Sequence, residues 1–167
     1  MDDKIVVKRS RHVNSRTPDE NLTKEELYTA TVNHINDVKK GMDYFSELIH
    51  ERGLKHDHTK IDNFDDEYAP LVLSRLSNEE FENHPWNQKH FSEERHHINN
   101  NAHSDIDLVD IIEHLVDVTL SGLSRAGYVN SKYAEVSPLL LYRAYWNSIH
   151  KLEQNVEVFD DKAEKET

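Results

Sequence analysis

Apolar residues recur at helical spacing over most of the chain. Thr23 followed by Glu26 reads as a capping box. Beyond it Leu27, Thr31, His34, Val38, Met42, Phe45 and Ile49 fall on one stripe, which predicts a long helix closing at Gly53. A shorter helix is expected after "LKHDHTK". The segment "NFDDEYAPLVLSRL" reads as irregular around Pro70 and then helical, and "SNEEFENHPWNQ" as a capped turn running into a Pro-broken stretch. A second long helix is predicted over residues 104–126, with Ser104 as its cap, Asp107 in its first turn and Gly127 as its stop. Ser137-Pro138 opens a last helix, with Pro at its first position.

Strand signals are nearly absent beyond a weak "IVV" near the start. The fold class expected is therefore all-α, a bundle of about five to seven helices around a central site. Residues 1–22 read as an arm or a docked extended segment, 23–157 as the helical domain and 158–167 as an acidic disordered tail. No internal repeat is visible.

Composition narrows the chemistry. The chain has 167 residues, enough for one core without staples. It has no Cys, which excludes disulfides, thiolate metal sites and a Cys nucleophile. Any metal must then take His, Asp, Glu or Asn, a set that suits Mn, Fe, Co, Ni, Zn or Mg. The net charge of −12 gives no basic footprint for nucleic acid; "KRSRHVNSR" is the one basic cluster. There is no membrane-length apolar run and no apolar core of a secretory signal, so the expected location is the cytoplasm. Twelve His beside 32 acids leave ligands in abundance.

Three features could carry chemistry. His34 interrupts an apolar stripe, where a buried, hydrogen-bonded His is the commoner outcome. His56-Asp57 can grip one ion from a helix start, with His58 set aside as a surface residue. On helix 104–126 the apolar residues cover more than half of the circumference. Asp110, Glu113, His114, Asp117 and Ser121 fill the remaining arc. That arc either faces water or, on a central helix, faces an internal ion, because buried carboxylates need a partner. The stretch "HHINNNAHS" reads either as a polar loop or as neutral donors beside a charged site.

The order His34, His56-Asp57, Asp117 resembles the H…HD…D signature of the HD-domain metal-dependent phosphohydrolases, over about residues 27–125. Lys60 matches the HD-x-x-K form of that superfamily. The chain is also similar to an uncharacterised bacterial and phage family whose pattern reads HD-x-S-K, then HH-x-x-NN-P-HH, then a late Asp. It departs from that pattern at Thr59, Ala102 and Ser104. The resemblance implies an all-helical HD-like bundle with His34, His56, Asp57 and Asp117 on a first metal ion, and His97 and His103 as candidates for a second. It implies Asp57, Lys60 and Asp65 in catalysis, and Lys60, His97, Asn100 and His103 around the substrate; because a chain of charge −12 must offset its own field around a polyanion, Lys60, Arg125 or Arg95 is also expected to line the pocket. A second acid, Asp62 or Asp65, would act behind His56. The implied activity is hydrolysis of a nucleotide or other small phosphate ester by a metal-activated water. No membrane partner is implied, and self-association stays open.

Two rivals remain. Glu47 with His50, Glu93 with His96, or Glu94 with His97 fit the Glu-x-x-His element of di-iron carboxylate bundles, with Glu113 as a further ligand. The other is a non-catalytic phage or bacterial accessory protein on an HD-like scaffold.

Overall fold

A computed structural model describes residues 4–9, 21–98 and 102–159. The protein is all-α: among the described residues 72% are helical, with little strand. The chain divides into two compact units, Met1–Glu47 with Ile149–Thr167, and Leu48–Ser148. The boundaries expected from composition, after residues 22 and 157, do not coincide with this division.

The first unit joins the two ends of the chain. β1 (Ile5–Lys8) pairs in parallel with β2 (Val156–Phe159), Ile5 opposite Val156 and Lys8 opposite Phe159. The weak "IVV" is thus a docked strand, and its partner includes Val158 and Phe159, the start of the expected tail. α1 (Lys24–Lys55) begins at the predicted box: Thr23 N–H donates to Glu26 Oε2 at 2.9 Å and Glu26 N–H to Thr23 Oγ1 at 3.2 Å. Lys40 Nζ donates to the Val6 carbonyl at 2.7 Å, tying β1 to the helix. Asn155, just before β2, donates from Nδ2 to the Tyr44 hydroxyl at 3.0 Å.

The second unit, Leu48–Ser148, holds the site. α1 runs through Gly53 to Lys55, two residues past its expected stop, because a lone Gly weakens a helix without ending it. Asp57 ends the run with φ 54°, the left-handed region, where Asp is one of the few tolerated residues. α2 (His58–Asp62), a π-helical turn (Phe64–Tyr68) and α3 (Ala69–Leu73) follow. α4 (Asn78–Glu82) starts at a capping box between Ser77 and Glu80, and α5 (Pro85–Glu93) starts with Pro in its first turn.

α6 (Leu108–Ala126) begins four residues after the expected Ser104 cap. Asp107 is the cap: its Oδ1 accepts from Val109 N–H at 2.8 Å and Asp110 N–H at 3.1 Å, and Asp110 Oδ2 accepts from Asp107 N–H at 3.0 Å. Gly127, at φ 75°, ends α6 as predicted. A short α7 (Ser131–Ala134) leads to α8 (Pro138–Gln154). Ser148 Oγ accepts from Leu108 N–H at 2.8 Å, and Asn147 Nδ2 donates to the Ile106 carbonyl at 2.7 Å, so α8 fixes the start of α6. Ile98, Ile106 and Ala144 form the buried core beside this junction. No helix among the described residues is long and apolar enough to cross a membrane.

Candidate metal centre

The polar arc of α6 faces inward. Asp110 is fully buried and His114 nearly so, while Leu115 and Leu120 on the apolar arc are about 60% exposed (59% and 61%). Buried carboxylates need partners, and each here has one. Arg95 grips Asp110 with two near-parallel bonds, Nε to Oδ1 at 2.9 Å and Nη2 to Oδ2 at 2.7 Å. Arg52, from the end of α1, lies 3.2 Å from Asp110 Oδ1 and 3.6 Å from Glu113 Oε2.

One turn after Asp110, Glu113 organises two imidazoles. Its Oε1 lies 3.0 Å from Nδ1 of His56 and 3.2 Å from Nδ1 of His96. The other nitrogen of each ring then points to the carboxylates. His56 Nε2 is 3.6 Å from Asp57 Oδ2 and 3.8 Å from Asp117 Oδ1. His96 Nε2 is 3.6 Å from Asp57 Oδ1 and 4.0 Å from Asp117 Oδ2. The two imidazoles thus face opposite oxygens of the same two carboxylates. Donor atoms on a tetrahedral ion with 2.0–2.1 Å bonds sit about 3.3 Å apart, roughly 0.3–0.7 Å less than these separations. His96 Nε2 and Asp57 Oδ1 are buried and have no hydrogen-bond partner. Such atoms are rare in a folded protein and call for a water or an ion between them. The donors therefore fit a divalent cation in either of two adjoining groups that share His96: His56, His96 and Asp117, or Asp57, His96 and His97.

A second group adjoins the first. Asp57, His96 and His97 also lie close enough to share an ion. His90 Nε2 is 3.5 Å from Asp57 Oδ1 and 2.8 Å from His97 Nε2. Its Nδ1 lies 2.6 Å from Thr59 Oγ1, and the Thr59 hydroxyl and N–H both donate to the buried Glu94, at 2.7 and 2.9 Å. Burial, then the Lys60 charge, pushes His90 down to about 4. Burial, then His96 and His90, takes His97 to about 3. The Glu113 bond raises His56. Burial opposes ionisation of Glu113, but its bonds to His56 and His96 prevail and hold it at about 2. Lys60 pairs with Asp57 Oδ2 across one turn, and burial notwithstanding, that pair keeps Asp57 low.

Of the residues singled out from sequence, His56, Asp57, Lys60, His97 and Asp117 come together. His34 does not join them: it lies exposed on α1 in the other unit, roughly six turns before the end of that helix. His96 stands in its place. His103 is outside the cluster, with Nε2 buried and unpartnered. Asp65 is exposed on the π-helical turn, Asp62 pairs with His58 at 2.9 Å on the surface, and Asn100 lies outside the described residues. Arg125 lines a cavity next to Asp117. Sequence reasoning missed His90 and left His96 against His97 undecided. His90 stacks on Trp86 at 5.2 Å and 10°, which in sequence looks like a packing residue. Of the Glu-x-x-His pairs, Glu93 with His96 and Glu94 with His97 do not share a helix face, because α5 ends at Glu93 and Glu94 turns to Thr59, while Glu47 and His50 both lie on α1.

Comparison with protein-family models, curated proteins and solved structures finds no match.

Proposed function

We propose that the chain is a metal-dependent phosphohydrolase that cleaves a nucleotide or another small phosphate ester. The observation that carries this reading is the pair of adjoining donor groups, His56–His96–Asp117 and Asp57–His96–His97, with His96 Nε2 and Asp57 Oδ1 buried and without a hydrogen-bond partner. A divalent ion held there would supply a bound water of lowered pKa and positive charge for phosphoryl oxygens. The rest is done by the chain. Glu113 Oε1 bonds to Nδ1 of His56 at 3.0 Å and lies 3.2 Å from Nδ1 of His96, which leaves both Nε2 atoms to ligate. Lys60, partly exposed beside Asp57, adds a cation at the edge of these groups, where it can meet the phosphoryl group. That cation tilts the site toward phosphate chemistry, and His96 replaces His34 in the ligand set implied by the HD resemblance.

The test is phosphate release from a panel of nucleotides and simple phosphomonoesters, with Mn²⁺, Co²⁺, Ni²⁺ or Mg²⁺ added to chelator-treated protein. Release that depends on the metal and disappears in Asp57→Asn supports the proposal. No release from any ester with any of the four ions, by protein that is folded and binds metal, defeats it.

A further inference from the structure

A cavity of about 410 Å³ opens beside the metal cluster, within the range of small-molecule sites. Asp117 and His97 form one end of it, and the lining continues along α6 through Ser121 to Arg125. Asp117, Ser121 and Arg125 are spaced i, i+4, i+8, so they stack along one helix face over about 12 Å. The rest of the lining is mostly apolar or aromatic, with Phe91, Val118, Tyr128 and Tyr133 beside the polar His114 and Asn130.

The far wall is packed directly onto the helix. A Cβ on Gly122 would lie 2.8 Å from the Tyr128 carbonyl oxygen and 3.2 Å from Val129 Cα, so only Gly lets that backbone approach α6. His114 braces the same wall from below, its ring between the His96 carbonyl at 3.0 Å and the Tyr133 carbonyl at 3.1 Å. The wall is therefore tied to the loop that carries His96.

We infer that this cavity binds the organic part of the substrate, and that the substrate is a flat, largely apolar phosphomonoester bearing a second anionic group, held by Arg125, at the end remote from the phosphate. The inference rests on the phosphohydrolase reading and names which phosphate esters the site prefers. The phosphate goes to the metal and Lys60 end. The planar body lies between Val118 and the tyrosines. The guanidinium of Arg125 takes the second anion, for which it offers a planar donor fork.

Two esters test it: 2-naphthyl phosphate and 6-carboxy-2-naphthyl phosphate, turned over by metal-loaded protein. The carboxylate is expected to lower KM about ten-fold in the native protein, the worth of one charge-assisted hydrogen bond. Arg125→Gln should weaken the carboxylated ester about ten-fold more than the plain one. Equal KM values in the native protein, or an equal effect of Arg125→Gln on both esters, overturns the inference. Binding is read separately by quenching of naphthyl fluorescence, with Val118→Trp filling the cavity. Saturable binding that Val118→Trp removes at unchanged metal content, without phosphate release, keeps the cavity assignment and contradicts hydrolysis. Binding that Val118→Trp leaves intact places the ligand elsewhere and sinks the inference.

Discussion

Asp57 Oδ1 and His96 Nε2 face one another at 3.6 Å, both buried, and neither has a hydrogen-bond partner. They come from opposite ends of the second unit's first half, one from the left-handed turn after α1 and one from the loop before α6. An ion shared by the two would join these segments in the folded state alone. Ligands that bind only the folded form stabilise it, by about 2.7 kcal/mol at a hundred times Kd. Chelator-treated protein is accordingly expected to melt several degrees below protein saturated with Mn²⁺ or Co²⁺, and Asp57→Ala should show no such shift. An identical melting temperature with and without metal is the opposing result.

Glu113 works through the two imidazoles. Glu113→Gln keeps the shape but removes the charge and one of the acceptors facing Nδ1 of His56 and His96. Metal affinity is expected to fall about 10- to 100-fold, the usual cost of losing a residue that orients a ligand. Titration calorimetry reads this directly. A drop in thermal stability with unchanged affinity would make Glu113 a purely structural residue.

The metal-free site should be acid-sensitive. His90 and His97 have folded-state values of about 4 and about 3, below the ordinary 6.5. Between pH 6.5 and about 4 the unfolded chain therefore binds more protons than the folded one, and stability falls as pH falls. Glu113, held at about 2 against 4.5, adds to the loss below pH 4.5. His56 is raised and works the other way, contributing stability below its unfolded value that is lost as pH rises. Two depressed histidines outweigh one raised one, so melting temperature is expected to drop on acidification through this window. His97→Asn should flatten the curve, and a native profile that is already flat argues against the buried neutral pair.

Much of the helical frame was legible in the sequence. Thr23 with Glu26, Pro138 and Gly127 each mark an end that depends on local backbone chemistry, and each marks it in the structure. Asp107 was harder, because Ser104 is an equally good cap in isolation. The choice is made by Ser148 and Asn147 on α8, which engage the backbone at Leu108 and Ile106. The strand pairing was hidden for a similar reason: four residues at each end gain ladder bonds only from one another. At the site, His56, Asp57 and Asp117 could be singled out by residue type and order. His90 could not, and His96 could not be told from His97, since their inward direction is set by Thr59 and Glu113, both distant in sequence, and for His90 also by Trp86 one turn earlier.

The cap at Asp107 supports the whole face of α6. Asp107→Ala leaves the N–H groups of Val109 and Asp110 without their acceptor and frees one end of the buried Asp110 network. A loss of about 1–2 kcal/mol is expected in urea unfolding, the upper range for a cap. A change below the error of the measurement would mean that α8 alone holds this helix start.

Metal titration into chelator-treated protein tests the central claim most directly, comparing the native chain with His96→Ala and His34→Ala. The account predicts that His96→Ala weakens binding by at least about a hundred-fold, as loss of a ligand should, while His34→Ala binds like the native chain. Native-like binding by His96→Ala together with lost binding in His34→Ala would contradict it.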